Sequence, residues 1–311
     1  MEIVDTTQLE KVRAGRGFFA ALDQSGGSTP KALADYGIAE SRYGSEDEMF
    51  ELVHAMRTRV ITSPAFAGSR ILAAILFEQT MERDMQGVPT AQYLWDEKQV
   101  VPFLKVDKGL ADEQHSVQLM KPIDTLDELL ERANRHRMFG TKMRSVIKDA
   151  DKDGVAAVVE QQFEYGLRIS AAGLVPILEP EVSIKALHKD DAEALLRDTL
   201  QTYIKALPDE VTVMLKLTIP TQPGLYAHLA ADPRVLQVLA LSGGYSRDEA
   251  CELLALDSSM IASFSRALLE GLSDKQTDAQ FNARLDASIA QIFQASVEKK
   301  SAASRAASRH L

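Results

Sequence analysis

The sequence predicts an α/β protein folded as a (β/α)8 barrel, the TIM barrel architecture. Three observations carry that expectation. Short apolar runs recur along the chain without polar alternation, as in parallel strands buried on both faces. Amphipathic stretches of helical period separate most of them. Each run also ends at or near a charged or small polar residue, at positions 23, 78, 105, 142, 179, 216, 242 and 266. These positions lie roughly one β/α unit, about 30 residues, apart, and eight such units make a closed barrel of about 250 residues. A doubly wound open sheet is the alternative architecture, but eight repeats with polar strand ends favour closure.

The elements follow in order. The first run, Gly17–Leu22, ends at Asp23 and enters Gln24-Ser25-Gly26-Gly27-Ser28. Glycines there let backbone amides approach a phosphate, although an aspartate before a glycine-rich turn is also ordinary loop chemistry. Ser45-Glu46-Asp47-Glu48 has capping-box spacing and opens a helix. Ile71–Phe77 and Val101–Leu104 are the next strands, the latter reaching Lys105, Asp107 and Lys108 before Gly109. An amphipathic stretch from Asp124 to Phe139 leads into Met143–Ile147, with Lys142 and Arg144 two residues apart. Helical stretches over Gly154–Ala172 and Asp190–Leu207 flank the run Leu174–Leu178, which carries Glu179 and Glu181. Val211–Leu215 ends at Lys216. Val235–Leu241 passes into Ser242-Gly243-Gly244 and a second capping-box pattern, Ser246 to Glu249, and Ser258–Phe264 precedes Arg266. Nothing in residues 1–297 reads as an interdomain linker, so one barrel domain is expected, followed by a small, polar, basic and flexible tail over 298–311.

Composition excludes several function classes. The 311 residues hold 35 basic and 45 acidic side chains, a formal charge of -10, so no bulk attraction to nucleic acid or anionic membranes is expected. No apolar run approaches the roughly 20 residues that span a bilayer. One cysteine, Cys251, rules out an internal disulfide framework and fits a reducing compartment, so the expected location is the cytoplasm. The histidines show neither H-x-H nor H-E-x-x-H spacing, and no phosphate-loop or dinucleotide motif occurs, so no metal and no cofactor are expected.

Lys216 is the most informative residue. A lysine at the end of a buried strand loses hydration, and the neutral amine so favoured can attack a carbonyl to form a Schiff base. The bland alternative is a lysine that has reached the strand edge and snorkels into water. Its company matters: in a barrel all strand ends converge on one mouth. Glu179 and Glu181 share one side of an extended segment and supply acid/base groups, or else form a solvated edge around Pro180. Lys142 and Arg144 face inward with them, or outward if the register is shifted by one. Ser242, Gly243, Gly244 and Arg266 follow the seventh and eighth strands, where barrels of this kind bind phosphate; the helix start near Ser246 offers a positive end as well.

Taken together these segments resemble class I fructose-bisphosphate aldolase, the Schiff-base form and its bacterial members in particular. The resemblance runs from about Leu9 to Phe293 and rests on eight landmarks. They are Leu22–Ser28, Ile75–Phe77, Leu104–Gly109, Lys142–Arg144, Pro176–Glu181, Leu215–Lys216, Leu241–Ser246 and Ser265–Ala267. It implies reversible cleavage of fructose 1,6-bisphosphate to dihydroxyacetone phosphate and glyceraldehyde 3-phosphate, without metal or cofactor. It implies that Lys216 forms the imine, Glu179 is the main acid/base group, Asp23 orients and transfers protons, and Lys142 and Glu181 support them. Ser242, Gly243 and Arg266 correspond to the phosphate site at the ketone end. Ser25, Ser28 and Lys105 correspond to the other phosphate, and Arg144 to a further basic position. Two residues depart from the pattern of animal relatives: Gln24 stands in place of an acid and Ser265 in place of a glycine. Some of those relatives end in a tyrosine, whereas this chain ends in His310-Leu311. The expected partner is a phosphosugar, with a homo-oligomer compatible. A Schiff-base aldolase for another phosphorylated sugar, a metal-dependent aldolase and a non-catalytic phosphosugar- or protein-binding barrel remain as alternatives.

Overall fold

The structure, a computed structural model, describes residues 5–14, 16–24 and 29–300. Its strands are β1 (Phe18–Leu22), β2 (Ile71–Leu76), β3 (Val101–Lys105), β4 (Gly140–Ile147), β5 (Val175–Val182), β6 (Val213–Thr218), β7 (Val235–Leu241) and β8 (Ile261–Phe264). Each pairs in parallel with its sequence neighbours, β3 pairs with β4, and β8 returns to β1. The ring therefore has no open edge, which excludes the doubly wound alternative.

Side chains alternate between two apolar layers, except where the register shifts near Leu72–Ala73 and Leu236–Leu239. Phe19, Ala21, Val101, Phe103, Val175, Ile177, Met214 and Leu239 fill the barrel interior. Phe18, Ala20, Leu22, Leu104, Met143, Ile147, Leu178, Leu215 and Leu217 face outward to the helices. With a period of two, this fixes the polar residues as well. Because Met143 and Ile147 lie in the outer layer, Lys142 and Arg144 point into the barrel. The same count directs Glu179, Glu181, Lys216 and Asp23 inward.

The helices α1 (Thr6–Ala14), α2 (Glu46–Thr62), α3 (Leu126–Arg135), α4 (Lys152–Ala171), α5 (Lys189–Lys205), α6 (Arg247–Ala255) and α7 (Asp278–Val297) pack on the barrel, and α2 to α7 cover its outer layer. Helix α1 has a different task. Val12 is fully buried against the interior layer, with Leu9 beside it, so α1 closes the end of the barrel opposite the site.

Several boundaries differ from expectation for local reasons. Lys142, Glu179 and Lys216 lie within strands, not at their ends, because pairing of β4 with β5 continues to Ile147↔Val182 and that of β6 with β7 to Thr218↔Leu241. A short antiparallel segment, Val117–Gln118, adds to the far end of β4. Strand β8 begins at Ile261 and not Ser258 because Asp257 Oδ1 accepts from both Ser259 N (2.9 Å) and Ser259 Oγ (2.6 Å), which forms a turn. Both predicted capping boxes are half formed. Ser45 Oγ accepts from Glu48 N at 3.2 Å, but Glu48 Oε2 accepts from Gly44 N. Ser246 Oγ accepts from Glu249 N without a return bond. The complete box lies at Thr277 and Gln280, before α7.

The expected tail boundary also moves. Lys299 Nζ donates to the carbonyls of Leu254, Met260 and Ala295 at 2.8–3.2 Å, and Lys300 N donates to Ala255 O. The chain is thus held to the barrel through Lys300, while 301–311 lie outside the described residues. None of the described helices is long and apolar enough to cross a membrane.

Candidate active site

At the C-terminal ends of the strands a cavity of about 1340 Å³ opens, lined by Asp23, Lys105, Lys142, Arg144, Glu179, Glu181, Lys216, Ser242, Gly243 and Arg266 among others. Barrel enzymes place their chemistry on this face. At its floor four charged side chains meet: Asp23 is 8% exposed, Lys142 3%, Glu179 3% and Lys216 4%. Lys142 Nζ lies 2.6 Å from Asp23 Oδ2 and 2.9 Å from Glu179 Oε2, and Lys216 Nζ lies 3.0 Å from Glu179 Oε1.

Each position follows from the strands. Register pairs Ile177 with Met214 and Leu178 with Leu215, so the next step sets Glu179 beside Lys216. Glu179 thus reaches both lysines, one per oxygen. Its Oε2 approaches Lys142 off the hydrogen-bonding direction and keeps an open lone pair. Burial alone would lower the Lys142 ammonium, but Asp23 and Glu179 raise it above the ordinary lysine value, so it stays charged. Burial would likewise raise Asp23, but Lys142 and Lys216 hold its carboxyl well below the usual range. Two anions already matched by two ammonium groups offer a divalent cation little, and among the described residues no His, Cys, Asp and Glu group is arranged to hold one.

Higher in the mouth Arg144 Nη1 meets Glu181 Oε2 at 3.0 Å. Burial and the nearby Glu179 charge push Glu181 upward, against the pull of Arg144. Lys105 Nζ is tied to Asp107 Oδ1 at 2.8 Å. Across the cavity Gly243 and Gly244 adopt φ of +57° and +129°, which suit glycine, and an added Cβ at Gly243 would sit 2.9 Å from Ile184 Cγ2. Their N–H groups donate to no described residue, and the guanidinium of Arg266 has no described ion-pair partner. That arrangement suits an anion. One part of the expectation is corrected: the start of α6 is not free, since Glu270 Oε2 accepts from Arg247 N at 3.2 Å and Ser246 caps Glu249 N. The glycine amides and Arg266 offer the anion site without it.

Comparison with known proteins agrees with this geometry. The family model "Fructose-bisphosphate aldolase class-I" matches residues 3–223. A "Fructose-bisphosphate aldolase class 1" from Synechocystis is 58% identical over 290 residues, covering 93% of this chain and 97% of that protein. The chain belongs to the class I fructose-bisphosphate aldolase family. Two solved structures share the fold. A Plasmodium falciparum fructose-bisphosphate aldolase superposes with TM-score 0.75 at 20% identity, covering 96% of this chain and 98% of its own. A Corynebacterium glutamicum protein gives TM-score 0.54 at 14% identity, covering 93% and 92%. Aldol cleavage of fructose 1,6-bisphosphate, a lyase reaction of glycolysis, is the activity of this class I aldolase.

The predicted residues of the aldolase site gather at one mouth, except Ser25 and Ser28, which lie outside the described residues. Sequence reasoning missed Arg57, Ser263 and the contact between Gln24 and Ser265. Arg57 carried a readable signal: it falls on the buried stripe of α2 with Phe50, Val53 and Val60. An arginine there needs a buried polar partner.

Proposed function

We propose that Lys216 carries the Schiff base, with Glu179 as its proton partner, and that Lys142, Asp23 and Glu181 complete the catalytic group. The observation that carries this reading is Glu179 bridging Lys142 and Lys216 at 2.9 and 3.0 Å in a buried floor. In the reaction Glu179 Oε1 takes a proton from the Lys216 ammonium, and the freed amine attacks the ketone carbon of fructose 1,6-bisphosphate. Protonation of the carbinolamine hydroxyl releases water and leaves a protonated imine. Cleavage of the bond between the carbon next to the iminium carbon and the hydroxyl-bearing carbon beyond it sends its electron pair toward that iminium, forming an enamine, while Asp23 receives the proton of the departing aldehyde's hydroxyl. Glyceraldehyde 3-phosphate leaves first. Return of a proton to the enamine carbon and hydrolysis then release dihydroxyacetone phosphate.

Lys142 remains cationic throughout, so it stabilises the oxyanions that form between Asp23 and Glu179. Arg266 with the Gly243 and Gly244 amides binds the phosphate at the ketone end, beside Ser242. Lys105, Arg144, Ser25 and Ser28 serve the second phosphate. Remote binding of both phosphates holds the reacting carbons over Lys216. No metal is needed, because the iminium is the electron sink. A cytoplasmic location suits the single cysteine, whose thiol burial pushes up to about 12.

Borohydride reduction with dihydroxyacetone phosphate tests the assignment. The expected mass adduct lies on the peptide holding Val211–Leu217, and Lys216→Ala abolishes both trapping and cleavage. An adduct on Lys142 or Lys105 would overturn it.

A further inference from the structure

Strands β1 and β8 close the barrel, yet their in-register pairing covers Phe19↔Ser263 and Ala20↔Phe264 alone. Above those residues β1 continues beside β2, through Ala21↔Ile75 and Leu22↔Leu76. The link that next crosses the β1–β8 seam is made by side chains: Gln24 Nε2 donates to Ser265 Oγ at 2.7 Å.

Gln24 is held in turn from behind. Arg57, 1% exposed, donates from Nη2 to the Gln24 carbonyl at 2.5 Å, with Gln24 Oε1 3.5 Å from the same nitrogen. Its Nη1 donates to Thr80 Oγ1 at 2.7 Å, just beyond β2. One buried guanidinium therefore ties the top of β2 to the top of β1, and Gln24 carries the tie on to β8. Ser265 stands at the N-cap of the short turn Arg266–Leu269, but its side chain makes no capping bond there. Its oxygen serves the seam instead.

The chemistry explains the amide. Gln24 can accept from Arg57 through Oε1 and donate to Ser265 through Nε2, whereas a carboxylate only accepts. A carboxylate would also add negative charge beside Asp23, the next residue in sequence. Arg57 has no carboxylate within ion-pair distance among the described residues. Burial lowers it to about 10, so it stays charged, and Asp23 provides the opposing field.

We propose that Gln24, Ser265 and Arg57 are positioning residues, a clasp that fixes Asp23 after β1 relative to Arg266 after β8. Each clasp residue on the seam directly precedes or follows one of those two in sequence. The carboxylate over the reacting carbons and the cation on the ketone-end phosphate are thereby held at a set separation. The proposal rests on the roles given above to Asp23 and Arg266. Failure of those roles would show separately, as unchanged kcat/KM in Asp23→Ala and Arg266→Ala.

A double-mutant cycle tests the clasp in the full chain. Gln24→Ala and Ser265→Ala should each lower kcat/KM for fructose 1,6-bisphosphate about five- to tenfold, the scale of one lost hydrogen bond at a positioned site. The double variant should fall no further than the worse single, since both remove one contact. Arg57→Lys, which keeps the charge but not the fork, should match Gln24→Ala and not deepen it; the Gln24–Ser265 cycle stands if that variant fails to fold. Losses that multiply in the double variant, or singles with unchanged kcat/KM, overturn the proposal. Coupling seen in Tm with kcat/KM intact would also overturn it, by reducing the clasp to a structural link.

Discussion

Arg266 and Lys142 are both cations of the mouth, yet they answer to different physics. Arg266 is exposed and has no described ion-pair partner, so its removal costs the fold little. Arg266→Ala should instead raise the transition-state free energy for phosphorylated substrate by about 1.5–3 kcal/mol, the worth of a charged hydrogen bond. Steady-state kcat/KM reads this directly, and an unchanged value removes Arg266 from the site. Lys142→Met leaves Asp23 and Glu179 buried without their shared cation, and should destabilise the protein by about 3–5 kcal/mol in denaturant melts. Asp23, held below its ordinary 3.8, contributes stability above that pH and loses it as pH falls. Lys142, raised above its ordinary 10.5, contributes below that pH and loses its share as pH rises. The stability gap between wild type and variant should therefore be widest between about pH 4 and 10 and narrow toward pH 2. A gap independent of pH would separate Lys142 from those carboxylates.

Elements bring these residues together through alternation. Runs such as Ile71–Leu76 were legible because both faces are apolar, and Glu179, Lys216 and Lys142 stood out because such runs were interrupted by charge. The ends of the strands were less legible. Backbone pairing of β4 and β5 runs on past Lys142 and Glu179, since ladder bonds do not depend on what the side chains carry. The Gln24–Ser265 contact was not legible at all, because 241 residues separate its partners and only barrel closure joins them. Turns after strands bear the sharper constraint. At Gly243 a φ of +57° and a Cβ position 2.9 Å from Ile184 combine, so Gly243→Ala should cost about 1–2 kcal/mol in stability and displace the amide that faces the anion. Gly243→Ala with Ile184→Ala relieves the contact but not the dihedral. The pair should therefore recover only part of the Tm, and full recovery would show that φ carries no cost.

For the whole molecule, closure is secured at three places: the β1–β8 seam, α1 under the barrel floor, and Lys299 and Lys300 after α7. The third was the least visible in the sequence, because Lys299 lies in a run of small and basic residues that resembles a solvated tail. Its ammonium nevertheless satisfies three carbonyls, two of them flanking the segment that leads into β8. A chain ending at Glu298 should therefore be less stable than one ending at Lys300 by about 1–3 kcal/mol, the net worth of a few such bonds. Burial pushes the Lys299 ammonium down to about 8 from its ordinary 10.5. Between those values the unfolded chain keeps a proton that the folded chain has released, so stability from Lys299 grows as pH rises through that window. Melts of the two truncated chains at pH 7 and pH 10 read both effects. The gap should be present at pH 7 and wider at pH 10; equal Tm values at both would show that Lys299 and Lys300 add nothing to the barrel.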